Sequence, residues 1–277
     1  MTDVVDPARV WSTVAVAWDA HVDYIDDHSG ESTAAMVARV AVREGDRVLE
    51  LAAGPGGLAA TWSDLVGSTG RVVLSDIAPG MVEVARRRAE PFANVEVAVS
   101  DAAAIDFADG SFDVVASRMG LMFVPDPSVA LSEIHRVLAA SGRFGALVWG
   151  GIEHNPWMTC VGMAATAAGI AKGGPPVGPG GMFSLGDPDQ LAALAKDAGF
   201  VDVSVGAHPV AMRSEGIDAH LQHVSSLAGP LADAFQHATP DQLATFRRTA
   251  ADLAAPYSDD DGLNLPGLAL LVTGRRP

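Results

Sequence analysis

Residues 47–59, Arg-Val-Leu-Glu-Leu-Ala-Ala-Gly-Pro-Gly-Gly-Leu-Ala, constrain this chain more than any other stretch. Val48, Leu49 and Leu51 make the short apolar run of a strand covered on both faces. Gly54, Gly56 and Gly57 follow where the chain must turn sharply before a helix opens. Strand, glycine turn and helix in that order predict a unit of a parallel α/β sheet, and glycine there lets a ligand approach the backbone without meeting a Cβ. The spacing Gly54-x-Gly56-x-x-Ala59 also fits the fingerprint that seats a pyrophosphate on a helix N-terminus. Glu50 opposes that ligand, because a carboxylate at the strand end repels a pyrophosphate and suits a ligand carrying positive charge. A cationic nucleoside is the better expectation.

The unit repeats along the chain. A second strand, 71–75, ends in Asp76, and Pro79 opens a helix to about residue 90. A third strand, 95–99, is closed by Ser100-Asp101-Ala102, a fourth spans 112–117, a helix runs from Ser128 to about residue 138, and a fifth strand covers 143–149. Right-handed crossovers bring the C-terminal ends of such strands to one edge, so Glu50, Asp76, Asp101 and Ser117 are expected to line one crevice. Asp76 lies 22 residues past Gly54, the interval at which an acidic residue meets a ribose diol in nucleoside-binding folds. Asp101 suits the exocyclic amine of adenine, with Ile77 and Met81 on the ring faces. Any one of these aspartates alone also reads as a helix cap or a turn; the set indicates a site.

Around this core, residues 8–28 place Trp11, Trp18, Tyr24 and several valines at helical spacing, either as a helix on the sheet edge or as an aromatic arm that closes over a ligand. A second helix is expected from Glu31 to about Arg43. Past Trp149 come a helix at 155–170, a loose Gly- and Pro-rich connection at 173–181 that reads as mobile, a helix at 187–198 and a sixth strand at 201–205. Helices at 217–228, 230–238 and 240–254 separate that strand from a last one at 268–272, and they read as an apolar cap of the kind that selects substrate. The organisation expected is an arm at 1–30, a core at 31–150, and a C-terminal part at 151–277 with a cap inserted at about 210–262.

Charge narrows the partners. A net charge of -16 and a pI near 4.7 oppose a nucleic-acid or anionic-membrane partner. The basic runs at 86–88, 247–248 and 275–276 fall near the C-terminal ends of expected helices or of the chain, where cations suit the helix dipole or face water. Cys160 stands alone, so neither an intramolecular disulfide nor a multi-cysteine metal site is expected. The opening Met-Thr-Asp-Val-Val-Asp has no basic or apolar leader character and no apolar run reaches spanning length, which leads us to expect a cytoplasmic protein without membrane insertion.

Residues 48–57, Asp76-Ile77, Ser100-Asp101-Ala102 and 112–115 resemble the successive motifs of class I S-adenosylmethionine-dependent methyltransferases. The span from about 31 to 150 is most similar to the ubiquinone and menaquinone biosynthesis type and its small-molecule relatives. The resemblance implies an α/β, Rossmann-like, seven-stranded and mostly parallel sheet with helices on both faces and a helical lid or cap. It implies S-adenosylmethionine as cofactor, with Glu50 and the loop through Ala52, Gly54 and Gly56 at the methionine end and Asp76 on the ribose. Asp101 with the Ala102 amide would read adenine, Ser117 and Arg118 would border the methionine moiety, and Trp18 of the arm joins the cofactor contacts. Ala52 stands where the family usually has the first glycine of its loop.

Methyl transfer from a sulfonium is an in-line displacement, and alignment alone is worth up to about 7 to 11 kcal/mol in favourable cases. A base helps where the acceptor is a hydroxyl or an activated carbon. His154, just past the fifth strand, is the first candidate base, followed by His21 and His28 in the arm and His223 in the cap; each also reads as an ordinary exposed or capping histidine. His220 and His223 share a helical face but lack an acidic third ligand, and 259–261 reads as a solvated loop, so no metal is expected. Asn155-Pro156-Trp157 follows the fifth strand rather than the fourth, and the fourth ends in Ser117-Arg118-Met119-Gly120 without a planar amide to clamp a nucleobase amine. The expected activity is metal-independent O-, C- or N-methylation of an apolar small molecule, phenolic, quinone-like or of polyketide type, within secondary metabolism. Two alternatives are a protein of this fold that catalyses a cyclisation or senses the cofactor, and a nicotinamide-dependent oxidoreductase, which Glu50 and Asp101 oppose. Partners are then a small-molecule acceptor and no nucleic acid, with a homo-oligomer left open.

Overall fold

The computed structural model describes residues 6–171 and 177–277. Eight strands form one sheet: β1 (Arg47–Leu51), β2 (Arg71–Asp76), β3 (Val95–Val99), β4 (Phe112–Arg118), β5 (Leu138–Trp149), β6 (Val201–Ser214), the two-residue β7 (Ser258–Asp259) and β8 (Gly262–Arg275). Their order is β3-β2-β1-β4-β5-β8-β6, with the first five parallel and β8 antiparallel to both of its long neighbours. The seven strands expected are thus joined by a short β7 paired to β8 alone. Val48, Leu49, Leu74, Val114 and Val115 are buried in the middle of this sheet, as unbroken apolar runs covered on both faces require.

The helices are α1 (Pro7–Ala20), α2 (Val22–Val40), α3 (Ala59–Val66), α4 (Pro79–Ala89), α5 (Pro127–Val137), α6 (Pro156–Ala167), α7 (Pro188–Asp197), α8 (Ile217–Leu227), α9 (Gly229–Gln236) and α10 (Pro240–Ala254). Proline in the first turn and an aspartate cap start three of them: Asp6, Asp126 and Asp187 accept N–H groups at the heads of α1, α5 and α7. Thr239 and Gln242 close a capping box on α10.

Several boundaries differ from the sequence expectation. The arm breaks at His21 rather than near residue 30, and α2 runs unbroken through Ser29-Gly30. Ser29 and Ser32 donate to the carbonyls of Ile25 and Ser29, so these serines stay inside the helix instead of capping a new one. β5 begins at Leu138 rather than 143, because Phe112 pairs with Leu138 before the register shifts to Val114 with Arg143. The helix expected at 155–170 is shorter, with Asn155 outside its first turn. β6 and β8 are both far longer than expected. Pro209 is accommodated because β6 is the sheet edge, and Pro266 because β5 pairs with β8 only from Ala269 to Arg275. The cap helices grow from the far ends of this long antiparallel pair. The mobile connection expected at 173–181 and the leader reading of 1–6 both lie partly outside the described residues. Among the described residues no helix is long and apolar enough to cross a membrane.

Candidate active site

The strand order reverses between β1 and β4, and a crevice at the carboxyl ends of strands is what such a switch point creates. A cavity of about 580 Å³ sits there, walled by the ends of β1, β2 and β4, by α1 and α2, and by the cap. Glu50, Asp76 and Asp101, drawn from three segments, all line it.

Glu50 is 1% exposed, and the Trp62 Nε1–H donates to its Oε2 at 2.8 Å. Burial pushes its carboxyl up to about 7, against the pull of the Arg118 charge and the Trp62 hydrogen bond. Asp76 holds the glycine turn: its Oδ2 accepts the Gly54 N–H and its Oδ1 the Ala78 N–H, both at 2.9 Å. Burial raises this carboxyl too, while the amides of Ala78, Gly54 and Ile77 oppose the rise. Each oxygen retains a second lone pair for a further donor. Gly54 lines the cavity with φ +56°, and a Cβ built there meets nothing within 4 Å, so its open side faces ligand space.

The other candidates divide. Ala52, Ile77, Met81, Ala102, Trp18 and Arg118 line the cavity. Asp101 is held at the rim by the Ala103 N–H on its Oδ1. Trp18 donates its Nε1–H to the Leu227 carbonyl at 2.9 Å, tying α1 to the cap. Arg118 pairs with Asp26 of α2 at 2.7 Å, and its guanidinium lies 2.7 Å from where a Cβ on Gly57 would stand, directly over the glycine turn. Gly56 and Ser117 are not among the lining residues: a Cβ on Gly56 would press on Ala85 of α4, and Ser117 is buried behind the turn. Ala52 takes a left-handed conformation, φ +51°, in place of the missing glycine, and its methyl occupies the space a side chain on Gly120 would need.

The histidines separate as sharply. His154 is exposed beside Glu153 and away from the cavity wall. His21, at the α1–α2 junction, is not among the lining residues but packs its ring edge-on against His223, 4.9 Å between centroids. His28 lines the cavity with both ring nitrogens used, Nδ1 on the Tyr24 carbonyl and Nε2 on the Arg213 N–H. His223 lines it with Nδ1 buried and unpartnered, and burial pushes its pKa down. Beside it stands Tyr24, to which no spacing or motif gives a role: its Oη is also buried without a partner, and burial lifts it to about 12. Asn155 is wholly buried as a staple, accepting from Trp157 Nε1–H and Leu268 N–H and donating to Gly150 and Gly151 carbonyls. Among the described residues no cluster of three His, Cys, Asp or Glu is placed to hold a metal ion.

A switch-point cavity with a glycine turn, an acid at each of two strand ends and an antiparallel strand slipped between β5 and β6 defines an S-adenosylmethionine-dependent methyltransferase of class I. The family model described as the ubiE/COQ5 methyltransferase family matches residues 7–161, and the chain belongs to that family. The ubiquinone/menaquinone biosynthesis C-methyltransferase UbiE of Pseudoalteromonas translucida is 38% identical over 121 residues, 43% of this chain and 48% of that one. The matches therefore span just under half the length of such curated relatives. Among solved structures, the YcgJ protein of Bacillus subtilis shares the fold with TM-score 0.60 at 19% identity, over 89% of this chain and 98% of that one. Phosphoethanolamine N-methyltransferase 2 of Haemonchus contortus does so with TM-score 0.58 at 20% identity, over 94% of this chain and 58% of that one.

Proposed function

We propose that this protein methylates an apolar small molecule of phenolic, quinone-like or polyketide type, without a metal, using S-adenosylmethionine. The observation that carries the reading is a single cavity with two chemically distinct ends. Carboxylates and a glycine turn gather at the strand ends, while Trp149, Trp157, Met158, Met182 and Met212 supply an apolar wall from β5, α6, the following segment and β6. Bound there, the cofactor supplies a methyl group on a cationic sulfur. Glu50 answers positive charge at the turn, Asp76 the ribose hydroxyls, Asp101 and the Ala102 amide the base, and Arg118 the carboxylate of the methionine moiety, a task that suits a guanidinium. Gly54 leaves the room that this approach needs. The residues present thus fit the group.

The chain's further contribution is alignment in a dry site. Trp11 packs edge-on to Trp18 and Phe123, with centroids 6.2 and 4.9 Å apart, and these aromatic groups exclude water on the arm side. Core and cap divide the work, the segment 31–150 holding the cofactor and the insert near 210–262 choosing the acceptor. Calorimetric titration with S-adenosylmethionine and S-adenosylhomocysteine, followed by mass spectrometry of products from a panel of phenols and hydroquinones, tests the reading. Binding of both and a one-methyl mass gain are expected. Absence of both, with tighter binding of NAD, overturns it.

A further inference from the structure

Buried polar atoms find partners in folded proteins, and each one left without costs about 1 to 3 kcal/mol. Two such atoms belong to one ring pair on the wall of the cavity. Tyr24 of α2 and His223 of α8 stack with centroids 3.9 Å apart and planes 28° apart, and Tyr24 Oη and His223 Nδ1 are both buried and without a protein partner. Their neighbours are satisfied differently. His28, one turn along α2 from Tyr24, spends both nitrogens on backbone; His220 spends Nε2 on the Trp157 carbonyl and leaves Nδ1 buried without a partner, but it does not line the cavity. What sets Tyr24 and His223 apart is that they are stacked on each other and that both line the cavity.

We propose that Tyr24 and His223 form the polar anchor for the acceptor, which is a molecule bearing a phenol- or enol-type hydroxyl on an otherwise apolar frame. The inference rests on the methyl-transfer reading above. His223 Nδ1 takes the proton of that hydroxyl, and Tyr24 Oη donates a hydrogen bond to the same oxygen. The oxygen's electron pair, or that of the conjugated ring carbon, forms the bond to the methyl carbon while the carbon–sulfur bond breaks with its pair left on sulfur; the imidazolium then returns its proton to solvent. Burial, with the charges of His21 and His28, lowers His223, and burial raises Tyr24, so near neutral pH the first is an acceptor and the second a donor. An ammonium-bearing acceptor is disfavoured, because the cluster of Tyr24, His21, His28, His220 and His223 contains no carboxylate, and Asp26 of the same helix is committed to Arg118.

The test uses 1-naphthol and naphthalene as probes, titrated into the full chain saturated with S-adenosylhomocysteine. Wild type should bind the naphthol about tenfold more tightly than naphthalene, the worth of one good hydrogen bond. Tyr24→Phe and His223→Asn should each remove most of that preference while naphthalene and S-adenosylhomocysteine affinities stay within about twofold. In wild type, the His223 Cε1–H resonance should move with naphthol and not with naphthalene, a reading that needs no variant. Equal affinity for the two probes in wild type, an unmoved His223 resonance, or variants that keep the preference overturn the proposal. Failure of S-adenosylhomocysteine itself to bind would instead strike the methyl-transfer reading.

Discussion

Glu50 is set against its surroundings until a cation arrives. Its folded pKa of about 7 lies above the ordinary 4.5, so the neutral acid is the form the fold prefers. The stability this contributes is whole below the ordinary value and is lost as pH rises through about 7; a shift of that size corresponds to about 3 kcal/mol. In urea unfolding of the ligand-free protein, the stability of wild type relative to Glu50→Gln should fall by about 2 to 3 kcal/mol from about pH 5 to about pH 8; the difference cancels the opposite contribution of His220 and His223. The variant should match wild type at the acid end, exceed it at the alkaline end, and bind S-adenosylmethionine at least tenfold more weakly, the usual scale for losing a charged partner. A second tension lies one turn away. Ala52 holds φ +51°, and a Cβ on Gly120 would stand 2.2 Å from its methyl. Ala52→Gly should stabilise by about 1 kcal/mol, and Gly120→Ala should destabilise by more than that, since the methyls overlap. Combining the two should recover most of the loss, because Gly120 itself sits at φ -115°. An additive double mutant would show that the two positions do not share the space.

Among the elements, the helix α1 is a wall fixed to α4 by a buried cluster of Val14, Ala15, Met81 and Val84 and by the Asp19–Arg88 pair, and tied to the cap at its far end. Trp18 donates to the Leu227 carbonyl at the end of α8, and Gly80 of α4 donates its N–H to Ser12 of α1 at 3.1 Å. Trp18→Phe keeps the ring and removes the hydrogen bond, costing about 1 kcal/mol. Hydrogen exchange should then quicken in α1, α8 and α9 and stay unchanged in β1, β2 and β4; uniform acceleration would mean that the arm belongs to the sheet's own folding unit. This division also explains what could be read from residues alone. β1 to β4, the glycine turn and the three acids are legible because each apolar run ends in a polar or charged residue or a glycine, a local pattern. The lengths of β6 and β8 are not, since Pro209 and Pro266 signal breaks unless the sheet edge is known. The site histidine was legible only as one of several, because the burial of His223 and the crowding of His21, Tyr24 and His28 around it join α1, α2 and α8 across some 200 residues of sequence. His154 follows β5 directly in sequence, but β5 delivers it to the surface. Arg118 and Asp26 meet across 92 residues, which no spacing rule anticipates.

For the molecule as a whole, the net charge of -16 acts on the ligand as well as on solubility. S-Adenosylmethionine carries its sulfonium and ammonium against one carboxylate and is a net cation, whereas S-adenosylhomocysteine has lost the sulfonium charge and is neutral overall. The protein's field therefore draws in the first and is indifferent to the second, while the contacts proposed for the turn, Asp76 and Asp101 are to features common to both. Salt separates the two contributions, since the long-range part is screened beyond roughly 10 Å at 0.1 M and contacts inside a closed cavity are screened much less. Raising sodium chloride from about 20 to about 200 mM should weaken S-adenosylmethionine binding about threefold and S-adenosylhomocysteine binding by less than about 1.5-fold, both by calorimetry. Parallel loss for the two ligands would locate the salt effect in the proposed Arg118–carboxylate contact that both would make, and Arg118→Met would then abolish it for both. A loss confined to the sulfonium form gives the acidic surface a role in favouring the methyl donor over the spent product.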